Sequence, residues 1–559
     1  MGVKLVIIGG VAGGATAGAR ARRVSEDAEI VIFERGEYIS FANCGLPYYI
    51  GNVIQKRDDL LLATPQEFKE RYNIDVRIFS EVVDIDAKKK TVKVKNVHTG
   101  EMITEHYDKL ILSPGAAPIK PPLEGIDLKS IFHLRNIPDS DRIKTLVDEK
   151  NPRHAVVVGG GFIGLEMAEN LVERGVKTTI IEMLDQVMPP LDREMAAIIH
   201  DHLKEKNVEL ELENGVKAFS KAGDRIVVHT QKGRQIETDM VLLSVGIRPE
   251  NKLAKQADLK IGTTGGIRVD STMKTSDPHI YAVGDAVEVK DLVTDFSTLT
   301  ALAGPANKQA RIAADNALGR KSIFAGTIGT SVVKVFDMVA ASTGANEKFL
   351  KKHDIPYLVS YTHSGSHAGY YPGATNTSIK LIFSPGKGKV LGAQIIGKKG
   401  VDKRIDIFAT AIRAKMSVFD LEELELAYAP PYSSAKDPVN IAGFVAANIL
   451  KGDMEIVHGN EIHDFLSQGA VLLDLRTKFE LKYEGKIEGA LHIPIDELRN
   501  RLSELDIEKQ YLPFCAVGFR GYLGHRILVQ NGFKSKNLSG GFVTYKAAKI
   551  QNSSSTSNE

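Results

Sequence analysis

Two dinucleotide-binding α/β units in one chain are expected, because one pattern of strand, glycine turn, helix, strand and acid is written twice. The first copy starts with an apolar strand from Lys4 to Ile8. It passes through Gly9-Gly10-Val11-Ala12-Gly13-Gly14 into a helix from Ala15 to Arg23, then a strand from Glu29 to Phe33 that ends at Glu34. The second copy has a strand from His154 to Val158, the turn Gly159-Gly160-Gly161-Phe162-Ile163-Gly164, a helix reaching Arg174, and a strand from Lys177 to Ile181 that ends at Glu182. A third run, Thr275 to Asp285, ends in Val283-Gly284-Asp285 and reads as a strand that returns a carboxylate to a nucleotide site.

Each part has a physical reason. The glycines let the backbone turn tightly and approach a pyrophosphate, which rests on the helix N-terminus. Glu34 lies twenty residues beyond Gly14, where an acid can accept hydrogen bonds from a ribose. In the first turn Val11 stands at the middle glycine position, whereas the second turn is complete. Two such units imply two nucleotides. Glu182 favours a free ribose 2′-hydroxyl and repels a 2′-phosphate, so NADH is expected ahead of NADPH, with Arg174 and Lys177 moderating that preference. Between and after the units, Tyr107 to Pro118 and Thr238 to Pro249 are strands ending in glycine and proline, where the chain crosses between layers.

At 559 residues the chain has room for about three to four domains of roughly 150 residues. Apolar content of 43% and charged content of 25% fit a globular protein. A net charge of +2 gives no pull toward nucleic acid. Two cysteines, Cys44 and Cys515, do not make a secreted disulfide framework and suit a reducing cytoplasm. No apolar run approaches the roughly 18–20 residues of a membrane span, and the N-terminus does not read as a signal peptide. No metal-ligand spacing is evident.

Cys44 lies in Phe41-Ala-Asn-Cys-Gly-Leu-Pro-Tyr48, ten residues past Glu34. Pro47 suits the first turn of a helix, and a sulfur at such a helix start is expected to favour the thiolate. This is a redox cysteine placed against a nucleotide unit.

Together these motifs resemble the two-dinucleotide-binding-domain flavoprotein disulfide reductases over about Met1 to Leu450. That resemblance implies FAD on the first unit and NADH on the second. The FAD set is Gly9, Val11, Ala12, Gly14, Glu34, Arg35, Val83, Ser113, Gly115, Gly284, Asp285 and Ala303. The NADH set is Gly159, Gly161, Ile163, Gly164, Glu182 and Gly246. Residues 1–150 and 271–324 would form the FAD domain, 151–270 the NADH domain, and 325–450 an α+β domain that dimerises the chain. Alternating apolar segments, Ser331-Val-Val-Lys-Val-Phe and Lys389-Val-Leu-Gly-Ala-Gln-Ile-Ile, fit an antiparallel sheet there.

Most of that family pairs two cysteines as CxxxxC beside the flavin; this chain has one. It resembles the single-cysteine branch of coenzyme A disulfide reductases, with NADH oxidases and peroxidases as relatives. Those relatives place a His in the first glycine loop where this chain has Ala12, which counts against peroxide chemistry. By this resemblance Tyr428 and one of Tyr370 and Tyr371 reach the partner subunit's sulfur, where a hydroxyl can donate a proton to a leaving thiolate. Arg22, Ser40, Asn43 and Arg71 are the expected contacts for coenzyme A.

Beyond Leu450 the composition changes. The segments Asp474-Leu-Arg476, Gly489-Ala-Leu-His-Ile-Pro494 and Cys515-Ala-Val-Gly-Phe-Arg520-Gly521 resemble a rhodanese domain over 455–550, an α/β fold. Its cysteine loop can turn amides inward as an anion nest, holding sulfane sulfur on Cys515 with Arg520 adding charge. Gly521 replaces the family's usual Ser or Thr. Residues 551–559 are Ser/Asn-rich and expected to be disordered. The expected activity is NADH-dependent reduction of coenzyme A persulfide, polysulfide and coenzyme A disulfide through Cys44, coupled to sulfur carried on Cys515. The alternatives are an NADH oxidase or peroxidase with a passive rhodanese module, and a flavin redox sensor.

Overall fold

The computed structural model describes residues 2–549, and the expected tail at 551–559 lies outside them. The chain divides into two units: Met1–Val187 with Asn207–Gly329, and Met188–Lys206 with Thr330–Glu559.

The first unit holds two parallel five-stranded sheets. In one, the order is Ile280–Ala282, Lys109–Leu112, Lys4–Ile8, Glu29–Phe33, Asp75–Arg77. Ile8 registers with both Phe33 and Leu112, so Gly9, Glu34, Ser113 and Gly284 emerge together at the carboxyl edge. The other sheet runs Glu209–Glu211, Lys177–Ile181, His154–Val158, Met240–Leu243, Ile131–Phe132. There Val158 registers with Ile181 and Leu243, which brings Gly159, Glu182 and Ser244 to the same edge. Helices cover both faces of such sheets, so the strands are continuous apolar runs; Leu5, Val6 and Ile7 are fully buried. The two glycine–proline crossings pair with each other, Ala116–Pro118 antiparallel to Ile247–Pro249.

The first helix spans Ala12–Val24 and so begins earlier than Ala15. Its glycines lie inside the helix, where a Cβ on Gly14 would stand 1.7 Å from the Gly9 carbonyl oxygen. Small residues on this helix meet the alanine-rich helix Ala303–Ala317, and Arg20 joins them through Asp315 at 2.7 Å.

In the second unit an antiparallel sheet runs Ser331–Val335, Met338–Gly344, Val390–Gly397, Asn376–Phe383, Leu358–Gly365. A parallel sheet follows in the C-terminal domain: Leu491–His492, Val471–Asp474, Gln510–Phe514, Lys534–Ser535. The α/β class with an α+β third domain and an α/β C-terminal domain is therefore as expected. Lys380 is fully buried among carboxylates, 2.9 Å from Asp192 and 2.6 Å from Glu347, with Glu194 also bound.

A second buried pair holds the tyrosine-bearing loops. Arg404 donates to both carboxylate oxygens of Asp437, at 3.1 and 3.0 Å, and to the Ser366 carbonyl at 2.8 Å. Asp437 also caps helix Pro438–Leu450 and accepts from Ser433 at 2.6 Å. Ala368 N–H donates to the Ser433 carbonyl at 2.9 Å, so the loop of Tyr370 is tied to the loop of Tyr428. Removing the cation strands a buried carboxylate. Arg404→Met is expected to cost about 3–5 kcal/mol in denaturant unfolding. Faster amide exchange at 366–375 and 428–437 should accompany it; unchanged protection there would contradict this role.

Candidate active site

The two nucleotide cradles are built alike. Glu34 accepts from Gly10 N–H and from Gly36 N–H, both at 2.8 Å. Glu182 repeats this, accepting from Gly160 N–H at 2.7 Å and Leu184 N–H at 2.8 Å. Each acid thus fixes its glycine turn. Gly9 and Gly159 have φ of 94° and 105°, a left-handed region that side chains avoid. A Cβ on Gly9 would lie 2.2 Å from the Ser113 carbonyl, and one on Gly159 2.4 Å from that of Ser244. The neighbouring strand's carbonyl thus requires glycine at the start of each turn, while a Cβ on Gly161 would meet open space, and these tight turns at helix N-termini fit a bound dinucleotide in each unit.

Around the first cradle, Gly284 N–H donates to Gln309 at 2.8 Å, which places half-buried Asp285 at the sheet edge. Burial pushes the Asp285 carboxyl up, opposed by Arg135. Gly115 has φ of 72°. Val83 is the extra residue of a β-bulge between Val82 and Asp84, and bulges re-aim side chains. Ala303 opens its helix, and exposed Arg35 lies 3.4 Å from Glu250. Around the second cradle, Gly161 caps the helix Phe162–Glu173 that carries Ile163 and Gly164, and Gly246 has φ of 106°. The residues after Glu182 are Met183 and Leu184, both exposed, and neither offers a cation to a 2′-phosphate.

Cys44 lies in a 3₁₀ turn, Asn43–Gly45, leading to helix Leu46–Ile50. Cys44 is an exposed residue and forms no disulfide. The expected bias toward thiolate is not what surrounds it. Burial pushes the thiol up, and the carboxylates of Glu166 and then Asp285 push it further. A five-residue helix carries too little aligned dipole to reverse this. Glu166, on Phe162–Glu173, accepts from the Tyr48 hydroxyl at 3.3 Å. Burial lifts its carboxyl to about 7, against the Tyr48 hydrogen bond. Sequence reasoning missed Glu166 and Tyr48. Both sit within motifs already recognised, but their meeting depends on the packing of one nucleotide domain on the other.

The coenzyme A residues divide. Ser40 holds a strained φ of 46°, its N–H donating to Gly10 O at 2.9 Å. Asn43 is exposed and donates to the Arg135 carbonyl at 3.4 Å, while Arg71 is exposed in the last turn of Pro65–Tyr72. Arg22 is largely engaged by the backbone. It is 5% exposed and donates to the carbonyls of Tyr72 at 2.7 Å, Asn73 at 2.9 Å, Ser25 at 3.1 Å and Glu26. It satisfies the open carbonyls of two helix C-termini with four of its five N–H donors.

In the second unit the Tyr370 and Tyr428 hydroxyls are 2.7 Å apart and exposed, and their hydrogen bond holds the Tyr370 phenol up. Tyr371 does not share that bond; it packs on His367. Cys515 is fully buried and accepts from Gly518 N–H at 3.2 Å. Arg520 binds Glu480 at 2.8 and 2.5 Å as well as facing Cys515, so its charge is shared, and it holds the Glu480 carboxyl down to about 2. Gly521 has a steric reason: a Cβ there would lie 2.3 Å from Asn537 Oδ1. Among the described residues, no helix is long and apolar enough to cross a membrane.

A flavin-type oxidoreductase built on two dinucleotide cradles, with a cysteine beside the first and a sulfur-transferase-like domain appended, is the class this architecture defines. Residues 3–310 match the pyridine nucleotide-disulphide oxidoreductase family and residues 330–438 its dimerisation domain, while residues 459–548 match the rhodanese-like domain. The chain belongs to the pyridine nucleotide-disulphide oxidoreductases, a family that implies FAD and NAD(P)H. A coenzyme A disulfide reductase of Staphylococcus haemolyticus is 38% identical over 80% of this chain and all of its own length. The structure of reduced Bacillus anthracis CoADR-RHD shares 53% identity over 99% of both chains, with a TM-score of 0.96. A NAD-dependent persulfide reductase from A. fulgidus shares 39% over 97% of this chain and all of its own, with a TM-score of 0.91.

Because the Glu166 charge opposes ionisation of Cys44, Glu166→Gln should lower the pH at which Cys44 of the flavin-free protein becomes alkylated by iodoacetamide. An unchanged or higher midpoint would contradict the electrostatic assignment.

Proposed function

We propose that this chain is an NADH-dependent reductase of coenzyme A-linked sulfur, taking coenzyme A persulfide, polysulfide and coenzyme A disulfide through Cys44. One observation carries the reading. Cys44 is an exposed thiol at a nucleotide cradle, and the other cysteine of the chain is buried in the rhodanese-like loop. A relative that reduces coenzyme A disulfide and a relative named for persulfide reduction support it.

FAD, when bound by the first cradle, supplies the two-electron couple that links nicotinamide to sulfur. The protein's own residues do the rest. Ionised Cys44 attacks the coenzyme-A-bound sulfur of a persulfide, hydrosulfide leaves, and Cys44 is joined to coenzyme A as a mixed disulfide. Two electrons from NADH then return Cys44 to thiolate and release coenzyme A. Ser40, Asn43 and Arg71 hold the carrier. The Tyr370–Tyr428 pair of the partner subunit of a homodimer gives a proton to the departing thiolate. Glu182 and the apolar residues behind it select NADH over NADPH. Cys515, with Arg520, carries sulfane sulfur. The absence of a His at Ala12 weighs against the oxidase or peroxidase alternative.

Cys44→Ser is expected to lower NADH-dependent release of sulfide from coenzyme A persulfide by roughly 10³-fold or more, as removal of a nucleophile does. Cys515→Ser should slow turnover of polysulfide while coenzyme A disulfide is still reduced. Sulfide release that survives Cys44→Ser would end the proposal, and polysulfide turnover that survives Cys515→Ser would remove Cys515 from it.

A further inference from the structure

Helix Lys478–Glu484 presents three rows of side chains, each about 100° from the next. Glu480 and Glu484 face the domain, toward Arg520 and toward fully buried Arg476 at 3.6 Å. Phe479 and Tyr483 form the second row. Their rings are 4.4 Å apart and stand out from the surface, 70% and 65% exposed. Lys478 and Lys482 form the third, with Lys482 Nζ 5.4 Å from the Tyr483 ring centroid. At the N-cap, Thr477, the face meets a pocket of about 280 Å³ that is also lined by Asp496, Arg499 and Arg520. Among the described residues, no carboxylate pairs with Lys478, Lys482 or Arg499.

This face adds nothing to the core of its domain, and two large rings left in water mark a binding surface. We propose that it docks the adenine nucleotide end of a coenzyme A thiol and so delivers that thiol to Cys515. The inference rests on the reading that Cys515 exchanges sulfur with coenzyme A. Ring faces stack on adenine, and the unpaired cations suit a diphosphate and a ribose phosphate. Leu475, Pro494, Ile495, Leu523 and Ile527 give the pocket an apolar wall, which suits the uncharged pantetheine arm, while Lys478 and Lys482 on the open face take the phosphates. Arg520 belongs both to the pocket wall and to the surroundings of the Cys515 sulfur. In the exchange, coenzyme A thiolate attacks the outer sulfur of the Cys515 persulfide. The bond from that sulfur to Cys515 Sγ breaks, a new sulfur–sulfur bond forms on coenzyme A, and Cys515 leaves as thiolate. The proton stays on the transferred sulfur, and no net oxidation occurs.

The test uses the full-length protein, with Cys515 loaded from inorganic polysulfide and either coenzyme A or pantetheine as acceptor. The nucleotide end should raise kcat/KM for coenzyme A over pantetheine at least about 10-fold. Phe479→Ala combined with Tyr483→Ala should bring that ratio toward one through KM, whereas Phe479→Tyr should keep it. Equal use of both acceptors by the unaltered protein would overturn the proposal, as would an undiminished ratio in the double variant. A changed oligomeric state in the double variant would assign the face to contact between copies and overturn it as well. Failure of the unaltered protein to reduce coenzyme A disulfide would instead strike the reading at Cys44, and the acceptor ratio would still judge this site by itself.

Discussion

A sulfur with no second cysteine beside it can cycle two electrons by bonding to sulfur brought from outside or by oxidation to sulfenic acid, and the proposed function uses the first route. The first 450 residues contain one cysteine, and the rest of the architecture answers to that constraint. Cys44 must be reachable by a soluble thiol, and it is exposed. Its thiol is held up by burial and by Glu166 and Asp285, so what binds beside it must help to ionise it. The family's pairing of a nicotinamide with a flavin supplies electrons, and in the proposed function an external carrier supplies the second sulfur.

Both cradles depend on one repeated device. An acid at the end of the second strand accepts amide protons from the glycine turn, at 2.8 Å from Gly10 and 2.7 Å from Gly160. The turn is therefore shaped before a nucleotide arrives, which limits the ordering that binding must impose. The same economy recurs in the second unit, where Asp437 caps a helix, binds buried Arg404 and, through Ser433, connects the loops bearing Tyr370 and Tyr428.

Much of this was legible in the residues. The glycine turns, Glu34, Glu182 and the Gly284-Asp285 return are local patterns whose geometry follows from backbone sterics, and the strands fell where apolar runs placed them. Three features were not legible. Arg22 reads as a free cation at a helix end, yet it is spent on four carbonyls, two of them some fifty residues away at Tyr72 and Asn73. The dipole argument at Cys44 ignored carboxylates contributed by distant elements. The partner of Arg520 is Glu480, forty residues away, on a helix whose inward face no local pattern marks. In each case the deciding partner is remote in sequence and is fixed by tertiary packing.

The claim on which the account stands is that Cys44 takes coenzyme A as its sulfur partner. Mass spectrometry of the intact, FAD-loaded protein incubated with coenzyme A disulfide, followed by peptide mapping, tests it most directly. One coenzyme A per chain, attached at Cys44 and released by NADH, is the expected result. An adduct confined to Cys515, or none that NADH removes, would contradict it.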